Sequence, residues 1–160
     1  PWLVIGLIGS MIATWVMASF EAALQSKMSI AFFVPGLVYL ADAIGTQTEA
    51  IAVRWLSLSH SPPAGLVGGE MRTGLMIGLT LGLVTLPVVW LVFGDFRLAL
   101  AVSTALFFAG GVATTIGLLL PWMLQQFGTD PAYGSGPLAT IIQDVLSLAI
   151  YFALVSAIVL

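Results

Sequence analysis

The chain has 160 residues, 60% of them hydrophobic and only 7% charged, with a mean hydropathy of +1.13, whereas soluble domains carry roughly 25% charged residues. Its net charge of −3 offers no basic patch for nucleic acid. It has no cysteine, which excludes both a disulfide framework and a thiolate metal site.

That composition predicts an all-α integral membrane protein. The long apolar stretches lack the alternation of a membrane barrel, and the length accommodates about five spans of ~20 residues. The first residues, from Pro1, resemble neither a start-codon product nor a signal peptide with a basic leader. We therefore expect a single transmembrane domain, residues 1–160, cut from a longer chain.

The first span is expected over about residues 2–20, where Gly6, Gly9, Ser10, Ala13 and Thr14 recur as small residues that let helices approach closely. A short polar connection follows, from Glu21 to Lys27. The second span, about 28–58, is too long for one perpendicular crossing and holds the polar run Asp42 to Glu49. On a continuous helix Asp42, Gly45, Thr46 and Glu49 follow i, i+3, i+4, i+7 spacing and share one face. Pro35, Gly36 and Gly45 predict a kink or local unwinding there, which is tolerated at membrane depth where it lines a cavity.

Ser57 to Gly69 reads as an exposed, turn-rich loop carrying the only histidine, His60. The third span is expected over about 71–93, with Gly74, Gly78 and Gly82 along one face as packing contacts. Gly94 to Arg97 form a tight connection. The fourth span covers about 98–126, with a strip of small residues at Gly110, Gly111, Thr114, Thr115 and Gly117. The fifth runs over about 137–160, entered through Ser135 and Gly136 as turn or cap residues and Pro137 as the first helical position. Lys and Arg divide evenly between the two sides, Arg54 and Arg72 against Lys27 and Arg97, so charge does not orient the chain.

Asp144 lies in that last helix, roughly 10 Å below its start and well inside a ~30 Å hydrocarbon core. Ionisable groups at such depth are costly, and they usually face a bundle interior or a wet cavity on an ion or proton pathway. The alternative is a polar contact that merely joins two helices. Asp42 either lines the same path or caps unwound backbone. Glu49 is either a ligand or the partner of Arg54. A set of oxygen donors without thiols suits a hard cation such as Mg²⁺, Ca²⁺ or Mn²⁺. The same residues suit a sodium or proton relay, and spacing leaves both open.

The stretch Thr129 to Phe152, TDPAYGSGPLATIIQDVLSLAIYF, resembles the last transmembrane helix of the MgtE-type magnesium channels. Ser19-Phe20-Glu21, Phe33-Val34-Pro35, Gly45-Thr46-Gln47 through Arg54, and Leu120-Pro121 resemble further elements of that family, in the same order. Three positions depart from the pattern: Ala41-Asp42-Ala43 stands where the family has Gly-Gly-Asn, Gly136 where asparagine is frequent, and Gln125 and Gln126 where basic residues end the fourth span. The resemblance implies a transporter, not an enzyme, in the plasma membrane. It also implies a homodimer with a pore on its twofold axis, an amino terminus in the cytoplasm, and cytosolic regulatory domains ahead of the first span.

The expected function is a five-helix domain in the lipid bilayer that conducts divalent cations, Mg²⁺ first with Mn²⁺ or Ca²⁺ as further candidates. Asp144 of both subunits would bind a largely hydrated ion and Asp42 would extend the site. Gly136, Thr140 and Gly45 would permit close approach or supply oxygens, with Glu49 as an additional ligand. Two alternatives remain: an exchanger coupled to Na⁺ or H⁺, and a non-transporting membrane anchor or assembly subunit.

Overall fold

The structure is a computed structural model that describes residues 2–58 and 64–160, so His60 lies outside the described residues. The described chain forms helices α1 (Trp2–Ser19), α2 (Glu21–Ser26), α3 (Ser29–Leu58), α4 (Ala64–Phe93), α5 (Phe96–Gln126) and α6 (Ser135–Ile158). A helix satisfies its own backbone donors and acceptors, which is what an apolar solvent demands. Four of these helices, within α3, α4, α5 and α6, are long and apolar enough to cross a membrane. The first is apolar but shorter; its 18 residues span ~27 Å against a hydrocarbon core of ~30 Å.

Several expected boundaries move, each for a local reason. The connection after the first helix is itself helical, because EAALQS is built of good helix formers and Gln25 donates to Glu21 one turn earlier at 2.8 Å. The third span starts at Ala64 rather than 71: Gly65, Gly68 and Gly69 suggest a loop, yet within an apolar run the helix is the backbone form that leaves nothing unpaired. The last helix starts at Ser135 rather than Pro137. Gly134, at φ +99°, turns the chain into it, and the N–H of Leu138 bonds to the Gly134 carbonyl at 3.3 Å. Asp144 therefore lies ~13 Å along α6 rather than ~10 Å.

The local unwinding expected in the second span does not occur. Helix α3 runs unbroken through Pro35, Gly36 and Gly45. Proline at 35 deprives the Ala31 carbonyl of its usual partner. One residue earlier, the carbonyl of Ile30 accepts a 2.8 Å bond from the hydroxyl of Tyr151, which is fully buried on α6. That bond ties the turn ahead of Pro35 to α6.

Helix α5 is the centre of the bundle. It packs against α4, α3 and α6, while α1 rests on α6. Most of its buried residues are small, among them Ala99, Ala101, Ala105, Ala109, Gly110, Ala113 and Gly117, beside the larger Leu98, Val102, Leu106 and Leu118. Small side chains bring backbones together, the main source of helix association where lipid cancels the hydrophobic drive. The expected packing role of the third-span glycines holds. A Cβ on Gly82 would stand 2.7 Å from the Ser103 carbonyl oxygen, one on Gly110 2.5 Å from that of Gly74, and one on Gly78 would overlap Leu106 and Phe107. The outward side of α4, with Leu83, Leu91 and Val92, is left to lipid.

At one end of the bundle, Phe33 meets Phe93 edge-on at 5.1 Å and Lys27 pairs with Asp95. The start of α3 and the α4–α5 turn thus share one end. Asp95 also caps α5, accepting from the N–H of Leu98 at 3.1 Å.

Candidate functional site

Helices α3 and α6 carry the polar residues that the rest of the bundle lacks. Thr140 on α6 donates to a carboxylate oxygen of Asp42 on α3 at 2.8 Å. Asp144, one turn beyond Thr140, lines the same cavity of about 420 Å³ with Asp42, Tyr39, Pro35 and Ala13. Thr140 and Asp144 also border a second cavity, of about 700 Å³, whose other walls are Gly6, Gly9 and Ser10 of α1 and Pro137. The i, i+4 spacing explains this: Thr140 and Asp144 lie on one face of α6, above the cleft between α1 and α3.

All three groups are half-buried, and Asp144 forms no hydrogen bond or ion pair with the described residues. A carboxylate left without a partner in a spanning helix has oxygens to give to a cation or a proton. The arrangement offers hard oxygen donors and space, and no soft donor. Among the described residues no three carboxylate or imidazole groups gather in one protomer.

The other candidate residues fall at a second level of the same seam. Glu49, two turns along α3 from Asp42, is 7% exposed. A Cβ on Gly136 would lie 3.8 Å from its carboxylate oxygen, so Glu49 faces the first turn of α6. The charge pair weighed between Glu49 and Arg54 does not form; among the described residues the ion pair is Lys27 with Asp95. A separation of five residues turns Arg54 ~140° away from Glu49 around the helix. Gly45 does not border the cavity. It is buried beneath the side-chain amide of Gln143 on α6, and on its other side the α5 backbone closes in, since a Cβ on Gly117 would stand 2.5 Å from the Gly45 carbonyl oxygen.

The family profile described as MgtE, a divalent cation transporter, matches residues 34–154. The chain belongs to the MgtE family. It is 32% identical over 162 residues to the magnesium transporter MgtE of Bacillus subtilis, an alignment covering 98% of this chain and 36% of that protein. With the magnesium transporter MgtE of Enterococcus faecalis it shares 31% identity over 98% of this chain and 35% of the relative. With that of Thermus thermophilus it shares 31% over 95% and 34%. The chain thus spans about a third of the length of the curated relatives it matches. The MgtE family is one of divalent cation transporters and not of enzymes.

One residue that sequence reasoning passed over stands out in this MgtE domain. Gln143 is 1% exposed, donates weakly to the Ala113 carbonyl at 3.4 Å, and leaves its own carbonyl oxygen without a partner. The signal was available. Gln143 is the single amide side chain in α6, and an amide within a spanning helix turns away from lipid.

Proposed function

We propose that this domain forms the ion path of a magnesium transporter, working as a homodimer that conducts largely hydrated Mg²⁺ along the axis between two copies. The observation that carries this reading is the cavity lined by Asp42, Thr140 and Asp144. About six waters at ~30 Å³ each need ~180 Å³, less than the space of about 420 Å³ beside these groups. Magnesium keeps several waters and needs only one or two carboxylates. A second copy would double the two carboxylates to four, and like charges brought together in a low-dielectric path favour an intervening cation.

In this reading Asp144 of each subunit is the principal ligand, Asp42 extends the site, and Thr140 orients Asp42. Glu49, beside Gly136, is a further acidic group nearer the start of α6, and Gly45 contributes by close approach rather than by an oxygen ligand. Helix α1 completes a set of five spans, tilted little because it is short. The amino terminus faces the cytoplasm of a cell whose plasma membrane holds the protein, with regulatory domains in the rest of the chain. Manganese and calcium are the competitors that the same oxygen donors admit.

Reconstitution in liposomes loaded with a magnesium-sensitive dye tests this. We expect uptake driven by the Mg²⁺ gradient alone. Uptake that demands a sodium or proton gradient would replace the channel with an exchanger, and no uptake from a folded protein would leave only an anchor. Crosslinking or native mass measurement should give an even-numbered oligomer; a transporting monomer would remove the axial pore.

A further inference from the structure

We propose that Gln143 is a positioning residue that sets how α6 is turned about its own axis, and thereby aims Thr140 and Asp144 at Asp42. The inference rests on the reading of those three residues as the ion site. Helix α6 carries two parallel stripes. Ala139, Gln143 and Ser147, spaced four apart, are 0%, 1% and 3% exposed. Thr140, Asp144 and Leu148, each one residue later, line the cavity. Neighbouring positions on a helix are ~100° apart, so whatever holds the first stripe in place decides where the second one points.

The holding contact is a socket. The amide of Gln143 fills the space where Gly45 has no side chain, so closely that a Cβ there would overlap its nitrogen, oxygen and carbon. The socket cannot yield sideways, because α5 is in backbone contact with Gly45 at Gly117. On the far side the Gln143 amide donates to the Ala113 carbonyl at 3.4 Å. Three helices, α3, α5 and α6, therefore meet on one side chain. An apolar residue of similar size would fill the socket without leaving a buried carbonyl oxygen unpaired. Buried orphans of this kind are rare and call for an explanation. An anchor set by shape is one: the flat amide is seated against Gly45 and reaches the Ala113 carbonyl only weakly, so its fit in the socket is what sets the rotation.

The chain has no cysteine, which provides a reporter independent of transport. With Asp42→Cys and Thr140→Cys introduced together, oxidation should link α3 to α6 readily, because the native side chains are within hydrogen-bond distance. Adding Gly45→Ala, which invades the socket, or Gln143→Ala, which empties it, should each cut disulfide formation at least about fivefold. The pair Gly45→Ala with Gln143→Ala refills the socket and should restore most of it. In proteoliposomes of the full-length protein with native Asp42 and Thr140, each single substitution should raise the half-saturating Mg²⁺ concentration about tenfold, and the double should bring it back toward the native value. A purely structural role would lower the amount of folded protein and leave half-saturation unchanged. Gln143→Asn, which withdraws the amide by one methylene, carries the same test in a milder form. Native crosslinking in either single variant, or losses that add in the double, overturns the proposal. Crosslinking that falls and recovers as expected, with half-saturation constant throughout, upholds the socket and overturns the ion-site reading instead.

Discussion

The seam between α4 and α5 and the seam between α3 and α6 solve opposite problems in the same solvent. The first is closed by glycines, with backbone against backbone at Gly74, Gly78, Gly82 and Gly110. The second carries Asp42, Thr140 and Asp144 beside a cavity of about 420 Å³. Lipid gives helices no reason to associate beyond packing and polar contact, so a bundle that must also keep a hole needs one seam to compensate for the other. The glycine seam holds the bundle together, which frees the acidic seam to carry groups that packing alone would exclude. In this chain α5 joins the two: Gly110 faces α4 while Gly117 meets α3.

The contrast is broken most severely at Asp144. Asp144→Asn keeps the shape and removes the charge, and we expect divalent uptake in liposomes to fall at least tenfold, about 1.4 kcal/mol of lost ion stabilisation. Folding and oligomer assembly should persist, since Asp144 holds no hydrogen bond or ion pair within the described protomer; uptake at the native level would remove it from the path. The opposite seam should fail in the opposite way. Gly78→Ala forces a Cβ onto Leu106 and Phe107, and overpacking of this kind costs about 1–3 kcal/mol. Thermal unfolding in detergent should register that loss, while the folded fraction transports with unchanged half-saturation. A changed half-saturation would mean that the glycine seam reaches the ion site.

The two seams were unequally legible in the sequence. Glycines four residues apart in a lipid-facing helix have one common use, so the role of Gly74, Gly78 and Gly82 could be read without a structure. The depth of Asp144 likewise announced itself, because a carboxylate inside a predominantly apolar spanning stretch needs a reason. What could not be read was partnership. Asp42 and Thr140 are 98 residues apart, and a helical pattern gives the face of a residue but not the helix it meets. For the same reason Gln143 and Gly45 were both visible and their fit was not. The unwinding expected at Pro35 and Gly45 missed the packing around α3: Gly45 is covered by Gln143 and by the α5 backbone at Gly117, and neither neighbour is adjacent to it in the sequence.

A smaller effect should follow at Asp42, the position that departs from the family's Gly-Gly-Asn. Asp42→Ala removes one carboxylate and the acceptor for Thr140 but leaves Asp144. Half-saturating Mg²⁺ should rise about three- to tenfold, ~1 kcal/mol, with the maximal rate largely kept. The result would sharpen the contrast by separating the two proposed ligands, Asp144 as the essential one and Asp42 as the one that tunes. An unchanged half-saturation with lowered thermal stability would reassign Asp42 to holding α3 against α6.

The smallest effect belongs to the Lys27–Asp95 ion pair, the one found among the described residues, which ties both seams together at one end of the bundle. Lys27 lies at the entry to α3 and Asp95 in the turn from α4 to α5, so the contact fixes the two seams relative to each other. The hydrogen bond from Lys27 holds the Asp95 carboxyl below its ordinary value of 3.8, helped by the N–H groups of Leu98 and Arg97 and by the lysine charge, against a weaker upward push from burial. A carboxylate whose pKa is lower folded than unfolded adds stability above the unfolded value and loses it as pH falls through the folded one. Asp95→Asn retains the cap on Leu98, because asparagine caps as well as aspartate, and so isolates the charge. With 41% of the Lys27 side chain exposed, solvent screening limits the pair to about 0.5 kcal/mol. The difference in unfolding midpoint between the native protein and Asp95→Asn should be small near neutral pH, shrink further in about 1 M salt, and vanish once pH has fallen through the lowered pKa of Asp95. A difference that survives both treatments would show that the aspartate acts through geometry, as a cap that asparagine fails to reproduce, and not through its charge.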